Sequence, residues 1–253
     1  MRSPELQQST VLGYAKELRL PTLGAQFARL AEEASSQSHM SYLEALLEAE
    51  IEERERNAIS RRIAEAHLPK AKTLEEFEFE KAPQVPAALI RNLADGGYLK
   101  RAEPVVLLGD TGTGKTHLAI GLAVAACRQK KRVRFTTAAA LINDLIEARD
   151  KTELSRITNR WTRFDLIVVD EMGYVAIPES AAELLFQVIS GRAERAAVIV
   201  TTNLPFSEWT TMFPNARLCK AMLDRLTDRA HIIETGSESY RFKRTLERRK
   251  KGA

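Results

Sequence analysis

The residue types with the clearest chemical meaning lie at 109–116, where the sequence is Gly-Asp-Thr-Gly-Thr-Gly-Lys-Thr. This spacing is typical of a phosphate-binding loop, because glycines let backbone N–H groups approach phosphate oxygens where a Cβ would block them. Lys115 can reach the β- and γ-phosphates of a nucleotide, and the Thr116 hydroxyl can ligate Mg²⁺. A dinucleotide-binding loop matches less well, since Gly114 is followed by Lys-Thr and the third glycine of that pattern does not follow. The predicted contacts of ATP are Gly109, Asp110, Thr111, Gly112, Thr113, Gly114, Lys115 and Thr116.

An acidic pair forms the second candidate site. The apolar run at 166–169 predicts a buried strand, and Asp170 and Glu171 follow it directly. Because ligands bind at the carboxyl ends of parallel strands, we expect both carboxylates to face the phosphates. Asp170 is suited to the Mg²⁺ shell, and Glu171 to polarising the attacking water as a general base. Such a run is common by itself, and the preceding phosphate loop is what favours this interpretation.

A third buried strand leads to Asn203, after an apolar run that ends in two threonines. An amide at the end of a strand can hydrogen-bond the γ-phosphate or align the attacking water. The alternative is an asparagine that only caps a loop. We include Asn203 with the predicted catalytic residues Lys115, Asp170 and Glu171.

Short apolar runs separated by helical segments must position these side chains. This alternation predicts an α/β fold with a parallel sheet covered by helices on both faces. The helix after the phosphate loop spans about 115–130 and directs the positive end of its dipole at the anion. The strands are predicted at 105–108, 133–136, 166–170, 197–201 and 231–234.

The N-terminal part of the chain has a different pattern. Apolar residues recur at helical spacing through residues 1–66, and a Leu-Pro pair at 68–69 ends the last helix. The segment that follows is rich in charged residues and contains prolines, which favours a linker. We therefore predict a small all-helical N-terminal domain at 1–68, a linker at 69–86 and an ATPase domain at 87–253.

Charge and composition indicate which partners and which cellular compartment to expect. Residues 1–80 carry 10 basic and 15 acidic residues while the whole chain carries 38 and 34, so the remainder is basic. A basic surface favours an anionic partner, commonly nucleic acid, although a merely solvated surface is the alternative. No apolar run approaches the roughly 20 residues of a membrane helix, and an apolar signal core is absent at the N-terminus. Cys127 and Cys219 lack zinc-ligand spacing, so we expect a cytoplasmic protein without membrane association.

In this order, the phosphate loop, the acidic pair and Asn203 resemble the AAA+ branch of the P-loop NTPases. That resemblance implies a strand order of 5-1-4-3-2 and a position for Asn203 near the γ-phosphate. The chain is still more similar to the IstB-like helper ATPases of insertion-sequence transposition, relatives of the DnaC helicase loader, over nearly its whole length. The segments that carry this similarity are LP at 68–69, KTLEEFEF at 72–79, KTHLA at 115–119, RFTTA at 134–138, DEMGY at 170–174, TNLPFSEW at 202–209, MLDRL at 222–226 and ESYR at 238–241.

The resemblance also implies roles for individual residues. His117 and Arg241 are implied to contribute to nucleotide binding, with Arg241 as a second sensor. Arg225 resembles an arginine finger that reaches the γ-phosphate held by a neighbouring subunit, with Arg217 and Arg229 as rivals. An arginine supplied in trans stabilises transition-state charge, so assembly and turnover would be coupled in a homo-oligomer.

Duplex DNA and a transposase are the partners that the resemblance implies. An ATP-assembled oligomer would bind the duplex, then recruit and stimulate the transposase of the same element. The alternatives are a DnaC-like helicase loader acting with single-stranded DNA, a P-loop kinase of a small molecule, and an assembly protein without useful hydrolysis. A helical insertion at 138–163 carries basic side chains suited to phosphate contacts. The predicted DNA contacts are Lys151, Arg156, Arg160 and Arg163.

Overall fold

The computed structural model describes residues 3–34, 38–174 and 177–240. The chain divides into two compact units, Met1–Arg61 and Arg62–Ala253. The boundary between them lies before the predicted boundary at residue 68. Within the described ranges, none of the helices combines the length and the apolar character that a membrane span requires.

Helices build the first unit, as the apolar spacing predicts. They are α1 (Pro4–Glu17), α2 (Pro21–Glu33) and α3 (His39–Glu65), the last of which continues into the second unit. Both α1 and α2 begin with proline, whose fixed φ suits the first helical turn and whose missing N–H costs nothing there.

A buried carboxylate caps the start of α2. Glu50 on α3 is 3% exposed and accepts hydrogen bonds from the backbone N–H groups of Thr22 and Leu23, at 2.9 and 3.0 Å. Burial opposes the ionisation of Glu50, but these bonds and one from Arg54 together lower its pKa. Glu50 therefore satisfies N–H groups that the helix itself leaves unpaired.

A five-stranded parallel sheet forms the centre of the second unit and confirms the predicted α/β class. The strands are β1 (Val105–Leu108), β2 (Val133–Thr137), β3 (Leu166–Met172), β4 (Ala197–Thr202) and β5 (His231–Glu234). Their order is β2-β3-β4-β1-β5, which is the order 5-1-4-3-2 that the resemblance implies. The carboxyl ends of β1, β3 and β4 therefore meet at one edge of the sheet.

The end of β3 is irregular. Its pairing with β4 is regular up to Val169 and Val200, shifts, and resumes at Met172 and Thr202. Glu171 lies in the shifted segment and has a φ of 62°, in the left-handed region. The strand thus extends to Met172, past its predicted end at residue 170. The bulge affects its pairing with β4 only, because Asp170 still pairs with Thr137 of β2.

Helices cover both faces of the sheet, because successive side chains of a strand point to opposite faces. On β3, Leu166 and Val168 belong to one hydrophobic cluster, whereas Ile167 and Val169 belong to the other. We call the first of these the α6 face. Its helices are α4 (Ala87–Ala94), α5 (Gly97–Arg101) and α6 (Lys115–Arg128). The opposite face holds α7 (Ala138–Asp150), α8 (Leu154–Thr162), α9 (Glu179–Ser190) and α10 (Ala216–Thr227).

Residues 69–86 pack against the α6 face as part of the second unit, although their composition favoured a linker. Leu74, Phe77 and Phe79 contact the hydrophobic cluster there, and Val85 is buried. The prolines and charges do prevent a long helix, and only a short 3₁₀ turn forms at Phe79–Lys81. The apolar side chains between the charges supply the contacts that hold the segment in place.

Candidate active site

The loop at 109–116 joins the end of β1 to the start of α6, as the sequence predicts. Gly112 and Gly114 have φ values of 87° and 99°, in the left-handed region that favours glycine. A Cβ on Gly112 would lie 2.3 Å from Ser239 Oγ, and one on Gly114 would lie 2.7 Å from Cε2 of Phe77. The loop is therefore closely lined on two sides, and larger residues do not fit at these positions.

The chain after β5 supports this loop. The hydroxyl oxygens of Thr113 and Thr235 are 2.6 Å apart, and the backbone N–H of Asp110 donates to the Gly236 carbonyl at 3.0 Å. Asp110 itself is exposed. A solvated carboxylate is screened from a bound phosphate, which explains how an acidic residue is tolerated in the loop.

Lys115 places a cation inside the loop. It is 7% exposed, and its ammonium donates to the carbonyls of Gly109 and Asp110 at 2.6 and 2.7 Å. Lys115 is also the first residue of α6, whose N-terminus adds free N–H groups and the positive end of the helix dipole. These groups together form a site for a phosphate anion.

The carboxylate of Asp170 lies opposite the start of α6. Thr116 Oγ1 is 3.1 Å from each of its two oxygens, and Asp170 is 4% exposed. Side-chain alternation explains this position, because Asp170 follows Leu166 and Val168 on the α6 face of β3. A hydroxyl and a carboxylate are hard oxygen donors, and Mg²⁺ usually binds one or two carboxylates together with water and substrate phosphates. The two side chains thus fit Mg²⁺ bound with a nucleotide.

Thr201 also belongs to this site, although our sequence analysis missed it. It is 1% exposed at the end of β4, and its hydroxyl donates to Asp170 Oδ1 at 2.5 Å. The same hydroxyl accepts a hydrogen bond from the backbone N–H of Glu171 at 3.0 Å. The only signal in the sequence is the change from apolar residues to threonine where the strand ends.

Glu171 and Asn203 both lie at the carboxyl ends of their strands, β3 and β4. Glu171 is exposed and lines the cleft described below. A Cβ on Gly173 would lie 3.3 Å from Asn203 Oδ1, so Asn203 borders the loop after Glu171. Among the described residues, this buried oxygen has no hydrogen-bond partner. Asn203 does not belong to the cleft lining, so its role toward an attacking water stays a prediction.

A cleft of about 390 Å³ opens between the phosphate loop and residues 70–84. His117 Nε2 is 2.9 Å from the Thr73 carbonyl oxygen, and the rings of His117 and Phe77 meet edge-on at 5.3 Å. His117 therefore holds one wall of the cleft in place. The sequence assigned no role to Phe77, although it lies in one of the segments that carry the family resemblance. The cleft volume falls within the range of small-molecule sites, roughly 300–1,000 Å³.

Tyr174 links the loop after β3 to the phosphate loop. Its hydroxyl oxygen is 2.7 Å from Thr111 Oγ1, and the tyrosine is 47% exposed. Both residues line the cleft. Thr111 thus contacts the chain on the far side of the site, a contact that the sequence did not indicate.

The predicted arginine finger lies away from the cleft of its own chain. Arg225 is exposed in the last turn of α10 and does not belong to the cleft lining. Its rivals Arg217 and Arg229 are also exposed, the first at the start of α10 and the second just after its end. A side chain in such a position is available to a neighbouring subunit. Arg241 lies outside the described residues.

All four predicted DNA contacts are exposed, but three of them form ion pairs within the helical insertion. The fourth, Arg163, is the C-cap residue of α8. Exposed ion pairs are weak, yet the acidic partners reduce the net positive charge of this surface. The pairs are Lys151–Glu147 and Arg156–Glu153, each at 2.5 Å, and Arg160–Asp144 at 3.5 Å.

Solved structures show the same fold. AMPPCP-bound DnaA from Aquifex aeolicus matches with a TM-score of 0.57 at 19% identity, over 73% of this chain and 56% of that chain. A DnaC helicase loader matches with a TM-score of 0.50 at 18% identity, over 68% of this chain and 98% of that chain. These likenesses establish the AAA+ P-loop fold.

Sequence comparisons identify the family. An insertion-sequence ATP-binding protein of Sinorhizobium fredii is 36% identical over 91% of this chain and 78% of that protein. The ATP-binding protein named for IS5376 of Geobacillus stearothermophilus is 36% identical over 91% of this chain and 92% of that protein. The one named for IS21 of Pseudomonas aeruginosa is 34% identical over 93% of this chain and 88% of that protein. The family model described as IstB-like ATP binding protein matches residues 13–248. The chain therefore belongs to the IstB-like family of insertion-sequence ATP-binding proteins.

Proposed function

We propose that the chain is an ATPase that binds duplex DNA as a homo-oligomer and assists the transposase of its insertion sequence. Its family makes it an ATP-binding protein associated with transposition. The observation that carries the proposal is the meeting of Lys115, Thr116 and Asp170 at one edge of the sheet, with Glu171 beside them.

In the proposed reaction, water attacks the γ-phosphorus of ATP and ADP leaves. Lys115 and the N-terminus of α6 bind the phosphates, and Glu171 accepts the proton that the attacking water loses. Asn203 Oδ1, a buried acceptor, aligns that water. Mg²⁺ supplies positive charge to the phosphates when it is bound, with Thr116 and Asp170 as its protein ligands.

Arg225 is the residue that would make ATP hydrolysis depend on assembly. Its exposure on α10, outside the cleft of its own chain, supports a contact with the γ-phosphate bound by a neighbour. An arginine finger contributes about 10³–10⁵ in rate, so an isolated subunit would hydrolyse ATP slowly. The rate of ATP hydrolysis would then increase when subunits assemble.

Duplex DNA would bind through backbone phosphates, with Lys151, Arg156, Arg160 and Arg163 as contacts. Because three of these cations have acidic neighbours, binding has to exchange local ion pairs for phosphate contacts. Such contacts carry little sequence information, and the affinity should fall steeply with salt. We therefore expect charge reversal of both Arg156 and Arg160 to weaken duplex binding at low salt.

The experiment measures assembly and hydrolysis together. Protein is mixed with duplex or single-stranded DNA and either ATP or ADP, complexes are sized, and phosphate release is followed in parallel. We expect large complexes with ATP and duplex, faster phosphate release in their presence, and neither result with Lys115→Ala. A preference for single strands would favour the helicase-loader alternative, and assembly without phosphate release would favour an assembly protein.

A further inference from the structure

We propose that Thr201 is a positioning residue that holds both members of the acidic pair in their working geometry. Its side chain is 1% exposed, and one hydroxyl group serves two hydrogen bonds. It donates to Asp170 Oδ1 at 2.5 Å and accepts from the backbone N–H of Glu171 at 3.0 Å. This inference rests on the proposed ATPase function and names a residue on which that function depends.

The sheet brings these groups together. Ala197 and Ile199 on β4 contribute to the hydrophobic cluster of the α6 face, so Thr201 follows them on that face. Asp170 occupies the same face of the neighbouring strand β3. Two buried polar side chains thus meet where the apolar part of these strands ends, and each satisfies the other.

The donated bond fixes the carboxylate of Asp170. Thr201 binds Oδ1 from one strand, and Thr116 contacts both Oδ1 and Oδ2 from the start of α6. With hydroxyl groups on two sides, the carboxylate has one favoured rotation. Partners that orient a metal-binding carboxylate in this way support its affinity for the metal.

The accepted bond fixes the backbone of Glu171. Its φ of 62° is unfavourable for a residue with a Cβ, and the bulge takes its N–H out of the regular ladder between β3 and β4. The Thr201 hydroxyl provides the hydrogen bond that the ladder does not. It therefore stabilises the conformation in which the Glu171 side chain enters the cleft.

Thr201→Val tests this arrangement, because valine keeps the shape of threonine and removes the hydroxyl. We expect kcat for ATP to fall about 10–100-fold, with KM at saturating Mg²⁺ nearly unchanged. A second measurement is the binding of a fluorescent non-hydrolysable ATP analogue as Mg²⁺ is added. Half-maximal enhancement of binding should need about 10-fold more Mg²⁺ in the variant, while affinity in EDTA stays at the wild-type level.

Two controls separate the hydroxyl from packing. Thr136→Val makes the same change on β2, where the hydroxyl donates to the Thr137 carbonyl and, within the described part of the chain, to neither acidic residue. It should leave kcat and the Mg²⁺ requirement unaltered. Thr201→Ser and Thr201→Ala differ from each other by the hydroxyl alone. Comparing them tests the hydroxyl even if the valine variant does not fold. Serine should retain most of the activity, and alanine should behave as valine does.

The outcomes distinguish this inference from the proposed function. If wild-type protein releases no phosphate from ATP in any assembled state, the proposed function fails. If wild type is active but Thr201→Val matches it in kcat and in Mg²⁺ requirement, or if serine loses as much as alanine, the positioning role of Thr201 is wrong.

Discussion

Replacing Glu171 by glutamine should separate ATP hydrolysis from ATP binding. The side chain is exposed, and the hydrogen bond from Glu171 to Thr201 is donated by the backbone N–H, which glutamine retains. The substitution removes the negative charge and the proton acceptor while it conserves size. Lys115, Thr116 and Asp170 keep their contacts with one another and with the loop.

The expected magnitude follows from the role of a general base. Proton transfer by a positioned side chain contributes about 10²–10⁴ in rate, so kcat should fall by that factor, equivalent to about 3–5 kcal/mol in the activation free energy. Because an exposed, isosteric change alters local free energies by less than about 0.5 kcal/mol, Kd for ATP should stay within about twofold.

Phosphate release under single-turnover conditions measures the chemical step, and fluorescence titration with an ATP analogue measures Kd. The variant should also accumulate ATP-dependent complexes on duplex DNA, because bound ATP persists. A variant that loses ATP affinity in parallel with kcat would refute the assignment of Glu171 as a base that takes no part in binding. Retention of the wild-type rate would refute it as well.

Three further outcomes follow from other parts of the molecule. Arg225→Ala should lower phosphate release by about 10³-fold or more without weakening ATP binding, and adding a Glu171→Gln partner, which binds ATP and supplies intact Arg225, should restore part of the rate; no recovery in mixtures would exclude a finger in trans. Glu50→Gln should destabilise the helical unit by about 1–2 kcal/mol near pH 7, as measured by chemical denaturation. Because the pKa of Glu50 is lowered in the folded state, its contribution is fully present above the ordinary value of 4.5 and declines as the pH falls below it; a difference between the variants that grows in acid would contradict this. Cys127 is fully buried and burial raises the pKa of its thiol to about 11, so a thiol reagent at pH 8 should modify it only as the protein unfolds; modification of the folded protein at the rate of an exposed cysteine would contradict this.

The strands and the phosphate loop could be predicted from the sequence because their signals are local. The family resemblance likewise depended on short segments. An apolar run such as 166–169 favours a buried strand wherever it occurs. The glycines at 112 and 114 allow the positive φ values that the loop adopts and that other residues disfavour. The boundaries were less well determined. Residues 69–86 pack within the second unit, because Phe77 and its apolar neighbours bury against the hydrophobic cluster of the α6 face, which composition alone does not show.

The sequence by itself thus determined the chemistry: a loop for phosphates, an acidic pair at the end of a strand, and an α/β fold to carry them. Only the tertiary structure decided which side chains contact these residues and position them. The bond from Thr201 to Asp170 depends on the register of β4 against β3. The ion pair of Arg160 with Asp144 depends on how α8 lies against α7. Such contacts join residues that are distant in the chain, so local propensity carries no signal for them, and packing of the complete fold fixes their geometry.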